Sequence, residues 1–263
     1  MKASSLGKDC ILMWPCNDGT SRNVGGDPSG AANQAVFNPA FTSSSRNGNA
    51  FITRAVWAWD PRVGGFCFNN DASVGNAARD GLTTLNPNSE VNTIDVGTSF
   101  AVGVWAFFKS FTTDLGFGPI MFCHTDGVNN NFYLQIVTGA NNARLGFTTT
   151  SGAVFKLVTG SKVIQLNRWY FFMGTYDGAA SNIYVDGALD ASAANSGTPD
   201  SPGTDGVYTI GNFQPTGGFQ VRGCLWQATV FKRCLTADEV RYLWEYPFML
   251  VKRAGARELY SVR

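Results

Sequence analysis

The fold is decided by residues 167–245, a stretch that opens with Asn167-Arg-Trp-Tyr-Phe-Phe-Met-Gly-Thr-Tyr-Asp-Gly178. Trp169 to Tyr176 predict a strand, because aromatic residues dominate the run and Asp177-Gly178 end it. Successive strand residues point to opposite faces, and this run is apolar on both. The strand is therefore expected to be covered on both sides.

Two further signals in the same stretch predict a turn and a helix. Asn182-Ile-Tyr-Val-Asp-Gly187 predicts a hairpin, since a type I′ turn needs positive φ at both central residues and Asp-Gly tolerates it. Leu235-Thr-Ala-Asp-Glu-Val240 contains a capping box, in which the Thr236 hydroxyl accepts from the Glu239 amide and the Glu239 carboxylate reaches back. This box predicts one short helix that ends before Pro247.

A second strand with two apolar faces is predicted at residues 99–109. One face carries Phe100, Val102, Val104, Ala106 and Phe108, and the other carries Ala101, Gly103, Trp105 and Phe107. Residues 9–17 predict a strand that runs into a turn, and further strands are predicted at 50–59, 65–68, 89–96, 119–123, 131–138, 143–149, 153–158, 207–211 and 218–231. Residues 20–49, rich in Gly, Asn, Ser and Pro, predict a long surface loop or arm.

Composition agrees with an all-β chain and restricts its partners. The 263 residues include 30 Gly and 20 Phe with 15% charged residues, which suits short strands and tight turns in one large domain. A net charge of +1 gives no field that would gather nucleic acid. The apolar run from Cys10 to Trp14 is too short for a secretory signal, and none approaches the roughly 20 residues that span a bilayer. We expect cytoplasmic synthesis and no membrane span.

The order of Trp169, two Asp-Gly turns and a capped helix resembles the laminin-G-like jelly-roll family, which shares its fold with concanavalin A-like lectins. Residues 99–109 are similar to the family's Phe-Thr-x-x-x-Trp strand, with Ala101 where Thr is usual. The resemblance implies an all-β, two-sheet antiparallel jelly-roll sandwich over residues 1–247, with one short C-terminal helix and extended arms. It leaves function open, because this fold hosts lectins, adhesins, glycanases and virion coats.

Catalysis is not expected from the acidic and nucleophilic residues. Glycanases of this fold carry Glu-x-Asp-x-Glu on a strand, whereas none of the four glutamates here has Asp two residues later. His124 is the single histidine and follows Cys123, so on a strand the two side chains point to opposite faces. We interpret His124 as the start of a turn. The sequence predicts a non-enzymatic protein without catalytic residues.

Metal and disulfide chemistry are likewise not predicted. The six cysteines are expected to be reduced, buried thiols, since no export signal accompanies them. No cofactor is predicted. Calcium remains an alternative at loops that carry Asp114, Asp126 and Asp177, but we interpret these aspartates as turn residues.

No ligand-binding residue is assigned from the sequence. Phe117, Phe132, Phe213 and Phe219 lie next to predicted loops, where exposed rings would stack on sugars. Burial in the core is the more common fate of aromatic residues in a sandwich.

The C-terminal residues provide a looser resemblance. Tyr246-Pro247-Phe248 followed by Lys252-Arg253 is similar to the ends of laminin-G-like proteins encoded in bacteriophage genomes. This implies a virion structural protein, such as a capsid decoration, made in the host cytoplasm and anchored to other virion proteins and to copies of itself. Host-glycan adhesion would be compatible with that role. The expected assembly contacts lie in the basic tail 248–263 and are Phe248, Lys252, Arg253, Arg257, Tyr260 and Arg263.

Two alternatives are kept open: a soluble glycan-binding lectin or adhesin, and a glycoside hydrolase of the same fold.

Overall fold

A computed structural model describes the chain in segments. The described residues are 6, 10–14, 56–60, 65–70, 82–83, 95–113, 116–126, 129–149, 154–201, 206–213 and 219–247. The long loop or arm expected at 20–49, the tail 248–263 and its six assembly residues lie outside them. Within the described part, no helix has the length and apolar character that a membrane span requires.

The described chain forms a series of strands followed by a helix. The elements are β1 (Cys10–Trp14), β2 (Val56–Asp60), β3 (Gly65–Asn70), β4 (Leu82–Thr83), β5 (Phe100–Ser110), β6 (Ile120–Thr125), β7 (Asn130–Ile136), β8 (Asn142–Thr149), β9 (Val154–Val163), β10 (Trp169–Tyr176), β11 (Ala180–Val185), β12 (Ala188–Ala194), β13 (Val207–Ile210), β14 (Arg222–Phe231) and α1 (Ala237–Glu245).

These strands build two antiparallel sheets, as the predicted fold class requires. The eight-stranded sheet has the order β12-β11-β10-β5-β14-β3-β2, and β1 also pairs with β14. The six-stranded sheet has the order β4-β13-β6-β7-β8-β9. Strand β14 holds two neighbours on one side, because Gly223 to Leu225 pair with β3 and Ala228 to Phe231 pair with β1.

The main core lies between the sheets and confirms the predicted alternation of β5. Phe100, Val102, Val104, Ala106 and Phe108 are fully buried in it. Opposite them the six-stranded sheet contributes residues such as Phe122, Phe132, Leu134, Leu145, Phe147 and Tyr208. Each fully buried side chain of this size contributes about 1.5–3 kcal/mol relative to an exposed one.

A second apolar cluster covers the other side of the eight-stranded sheet. Ala101 of β5 and Phe171 and Met173 of β10 face it, and Val240 and Leu243 of α1 pack over them. Both strands that were predicted to be covered twice are therefore buried on both faces.

The predicted turn and cap are confirmed in detail. Asp186 and Gly187 have φ of 54° and 74°, as a type I′ turn demands. The Thr236 side chain accepts from the Glu239 amide, and the Glu239 carboxylate accepts from the Thr236 amide at 2.9 Å. Arg233 adds two bonds of 2.7 Å to the same carboxylate. Helix α1 ends at Glu245, before Pro247.

Some sequence-based boundaries were wrong. The strand predicted at 89–96 does not include Asp95 and Val96, which precede a turn at Gly97 with φ of 74°. The Val96 amide instead donates to the side-chain oxygen of Asn131 at 3.0 Å. Strand β9 is longer than predicted and runs to Val163, because the Thr-Gly-Ser-Lys stretch at 159–162 shows no apolar alternation.

Four cysteines lie in the part of the chain whose side chains are described: Cys10, Cys123 and Cys224 are buried thiols, and Cys234 is a half-buried thiol.

Glu239→Gln is expected to lower the free energy of unfolding at neutral pH by about 1–2 kcal/mol, since it removes the charged partner of Arg233 and weakens the cap. Hydrogen bonding from Arg233 lowers the pKa of Glu239, so its carboxylate stabilises the fold above the ordinary value of 4.5. That stability is lost as the pH falls through the lower folded-state pKa. Urea unfolding of wild type and variant should therefore converge in acid.

The matched control is Glu245→Gln, which breaks the exposed pair with Arg241 and should change stability little. Equal effects of the two substitutions at neutral pH would contradict the account of this cap.

Candidate ligand-binding face

Among the described residues, helix α1 packs on the eight-stranded sheet, and the outer face of the six-stranded sheet is at least partly exposed at Gln135, Arg144, Leu157 and Thr159. The outer face of the six-stranded sheet, on the side away from the main core, carries a row of cross-strand neighbours that runs Thr209, Cys123, Tyr133, Gly146 and Leu157. The adjacent row runs Ile120, Gln135, Arg144 and Thr159. Neighbouring strands lie about 4.8 Å apart, so each row crosses the sheet in steps of that size.

Tyr133 lies flat in the middle of this face because its neighbour is glycine. A Cβ atom at Gly146 would overlap the Tyr133 ring. Burial raises the pKa of Tyr133 to about 12, and the positive charge of Arg144 offsets this only in part. The phenol is therefore neutral at physiological pH and able to donate a hydrogen bond. It has no hydrogen-bond partner among the described residues.

Arg144 and Gln135 lie beside Tyr133, and each uses only part of its side-chain donors and acceptors within the described residues. Nε of Arg144 donates to the Thr159 hydroxyl at 2.9 Å, and this is the guanidinium's one hydrogen bond within the described ranges. Its two terminal nitrogens are left for other acceptors. Gln135 donates through Nε2 to the Gly118 carbonyl at 3.1 Å, which leaves its side-chain oxygen as an acceptor.

An aromatic shelf, composed of Phe117, Phe213 and Phe219, borders these polar groups. Phe213 and Phe219 pack on Ile120, Cys123 and Tyr133, with the ring centroids of the two phenylalanines 5.4 Å apart. Phe117 stacks on Phe219 at 5.4 Å and an interplanar angle of 21°, and it is 59% exposed. The shelf thus presents a ring face or edge to solvent next to donors and acceptors that have no partner in the part of the chain that the structure describes.

A buried asparagine holds the shelf in place. The side-chain oxygen of Asn212 accepts from the Phe213 amide at 2.8 Å and from the Phe219 amide at 3.1 Å. These bonds tie Phe213 to Phe219 through one side-chain oxygen. The Ile120 amide donates to the Phe219 carbonyl at 2.9 Å and joins the shelf to β6.

The structure corrects the interpretation of His124. It does not start a turn but lies fully buried in β6, with its ring stacked on Tyr208 at 4.0 Å and Nδ1 3.2 Å from the Asn131 side-chain oxygen. Cys123 belongs to the cluster on the outer face. The two side chains therefore point to opposite faces, as predicted.

Two of the three aspartates considered as calcium ligands, Asp126 and Asp177, lie in the described residues and accept hydrogen bonds from nearby amides. Asp126 accepts from the Asn129 amide at 2.7 Å and from its side chain at 2.9 Å. Asp177 accepts from the Ala179 and Ala180 amides, and these bonds lower its pKa. Asp114 lies outside the described residues, and within them no three His, Cys, Asp or Glu side chains converge as metal ligands would.

The four phenylalanines considered for sugar stacking separate into two groups. Phe132 is fully buried in the main core, whereas Phe117, Phe213 and Phe219 form the shelf. Sequence reasoning missed Tyr133, Arg144 and Gly146 altogether. The one signal for them was Gly146 itself, because an isolated glycine within a strand indicates close approach of another group.

Known proteins resemble this chain over most of its length. The sequence profile of the concanavalin A-like lectin/glucanases superfamily matches residues 78–241. Comparison with curated protein sequences gives no significant match.

Solved structures of other proteins share the fold. Domain 4 of AbnA, a GH43 extracellular arabinanase from Geobacillus stearothermophilus in complex with arabinotriose, has a TM-score of 0.61 at 14% identity and covers 89% of this chain and 98% of its own. The binding domain of Paraclostridial Mosquitocidal Protein 1 has a TM-score of 0.62 at 12% identity, and the match covers 92% of this chain and 53% of that domain's chain. The botulinum neurotoxin serotype G binding domain has a TM-score of 0.58 at 16% identity, and the match covers 90% of this chain and 51% of that domain's chain. The chain thus spans about half the length of the two toxin domains.

Gly146→Ala is expected to push the Tyr133 ring off the sheet and to cost about 1–3 kcal/mol of stability, as overpacking does. Thermal or urea unfolding measures the loss, and the same substitution in a Tyr133→Ala background should cost much less. An equal cost in both backgrounds would show that the ring does not lie against Gly146.

Proposed function

Because the chain belongs to the concanavalin A-like lectin/glucanases superfamily, we propose that it is a non-enzymatic glycan-binding module carried on a bacteriophage particle. The observation that carries the binding role is the outer face, where an exposed aromatic shelf lies beside the Tyr133 hydroxyl and the terminal nitrogens of Arg144, which have no hydrogen-bond partner among the described residues. Small-molecule binding sites in general combine apolar area with a few oriented polar groups.

The chemistry of the face suits a sugar. A pyranose or furanose has an apolar face that packs on an aromatic ring and a rim of hydroxyls that need partners. Phe117 supplies the first, and the Tyr133 phenol, the Arg144 guanidinium and the Gln135 oxygen supply the second. Tyrosine and arginine are also residue types that often dominate binding energies at interfaces.

The same face gives little support to the hydrolase alternative. Glycoside cleavage uses two carboxyl groups within about 10 Å of each other. Among the described strand residues of the outer face there is no Asp or Glu. This favours a binding role over catalysis.

The related structures favour the same class of function. The Geobacillus domain is named as a complex with arabinotriose, and both toxin domains are named as binding domains. At 12–16% identity these structures support the shared fold, and their names show that this fold serves in binding domains.

The virion part of the proposal rests on the sequence of the tail. Tyr246-Pro247-Phe248 and the basic residues after it resemble phage virion proteins, and four basic residues against one acidic residue suit an anchoring segment. In this proposal the tail attaches the protein to other virion proteins or to copies of itself, as a capsid decoration or another surface component. The sandwich is then displayed outward, and the outer face meets the host glycan.

Phe117→Ala and Tyr133→Phe are expected to weaken glycan binding. The first removes the exposed ring of the shelf, and we expect about a five- to fiftyfold loss of affinity, equivalent to about 1–2.3 kcal/mol. The second removes one hydrogen bond and is expected to cost about two- to tenfold. A glycan array followed by calorimetry with the best glycan measures both.

Leu189→Ala is the matched control, because Leu189 is 55% exposed on β12 of the eight-stranded sheet. Loss of binding in this control, or full binding by Phe117→Ala, would place the site elsewhere. No saturable binding of any glycan would sink the glycan-binding proposal.

Deleting residues 248–263 is expected to abolish incorporation into particles while the sandwich stays folded. Mass spectrometry of purified particles measures incorporation, and circular dichroism with thermal unfolding checks the fold. Normal incorporation of the truncated protein would contradict anchoring by the tail.

A further inference from the structure

We infer that the outer face selects acidic glycans, with the guanidinium of Arg144 binding the carboxylate of a uronic or sialic acid. This inference rests on the proposed glycan-binding function and names the chemical class of its ligand. It follows from the charge of the face, from the geometry of Arg144 and from the position of the aromatic shelf.

The charge of the described outer face is positive. Arg144 is the charged residue in the two cross-strand rows, whose other members are polar, apolar or glycine. Asp126, at the end of β6, has its carboxylate engaged by Asn129. A neutral sugar would leave the Arg144 charge without a counter-ion, whereas an acidic sugar would supply one.

The geometry of Arg144 favours a planar acid. Its Nε bond to Thr159 fixes the side chain along the sheet and leaves the two terminal nitrogens as a fork. A guanidinium fork matches a carboxylate through two parallel hydrogen bonds, which are about twice as strong as neutral ones. The neutral Tyr133 phenol lies close enough to feel the Arg144 charge and adds a further donor on the same side.

The shelf sets how such a ligand lies. Ile120, on which Phe213 and Phe219 of the shelf pack, is two strands away from Arg144 in the same row, or about 10 Å at 4.8 Å per strand. Two linked sugars are needed to reach across. One stacks on Phe117 while the acidic one sits over Arg144, and the Gln135 oxygen between them accepts from a hydroxyl.

The test is an array that pairs carboxylated glycans with neutral and sulfated counterparts, followed by calorimetry with the best binder. Carboxylated glycans should dominate the hits, and their affinity should fall as salt is raised. Arg144→Gln should reduce affinity by about ten- to hundredfold, the loss of a charge-assisted pair. Arg144→Lys keeps the charge but loses the two parallel hydrogen bonds, so its affinity should lie between those of wild type and Arg144→Gln.

Lys232→Gln is the control, since it removes the same charge from an exposed residue that follows β14 in the other sheet. It should bind like wild type. Unfolding curves of each variant exclude loss of the fold as the cause.

Two failures are distinguishable. Neutral glycans that bind as tightly as carboxylated ones, sulfated glycans that bind alone, or an Arg144→Gln variant with wild-type affinity would overturn the acidic-glycan inference and leave the binding function standing. An array without any hit would overturn the proposed function itself.

Discussion

Strands β5 and β10 carry large apolar side chains on both faces, and the rest of the structure depends on covering both. The six-stranded sheet covers the inner face, where Phe100 and Phe172 are fully buried. Helix α1 covers the outer face through Val240 and Leu243, and this is why a short helix with a strong cap matters to an all-β chain. Within the described part of the chain, the half of the outer face of the six-stranded sheet that runs over β8 and β9 stays partly exposed and is the candidate surface for a ligand.

The edge of that sheet is closed by side chains from the opposite sheet. The Asp190 carboxylate accepts from the amides of Ser161 and Lys162 on β9, and Gly160 leaves the room that it needs. Asn195 donates to the Leu157 carbonyl on the same strand. Unpaired edge groups invite pairing with another chain, and capping them with side chains prevents it. The molecule therefore offers a face for recognition, while the capped part of its β9 edge is not open to strand pairing.

How much the sequence revealed depended on how local each signal was. The Asp186-Gly187 turn, the capping box and the alternation of β5 were predicted because each involves residues close together in the chain. The contact between Tyr133 and Gly146 was not predicted, since it depends on the register between β7 and β8, which no single strand encodes. The three rings of the aromatic shelf were considered but not assigned, because Phe117 and Phe219 are far apart in sequence and each alone resembles an ordinary core residue. His124 was misread because a polar residue near a strand end also suits a turn.

The central claim is that the outer face of the six-stranded sheet binds the ligand, and NMR mapping of the bound state tests it most directly. The protein would carry ¹⁵N-labelled arginine side chains and ¹³C-labelled phenylalanine rings and be titrated with the tightest-binding glycan of the array. The account predicts saturable shifts at Nε of Arg144 and at the Phe117 ring, with Arg241 on α1 unchanged. Shifts at Arg241 with Arg144 and Phe117 unmoved would contradict it.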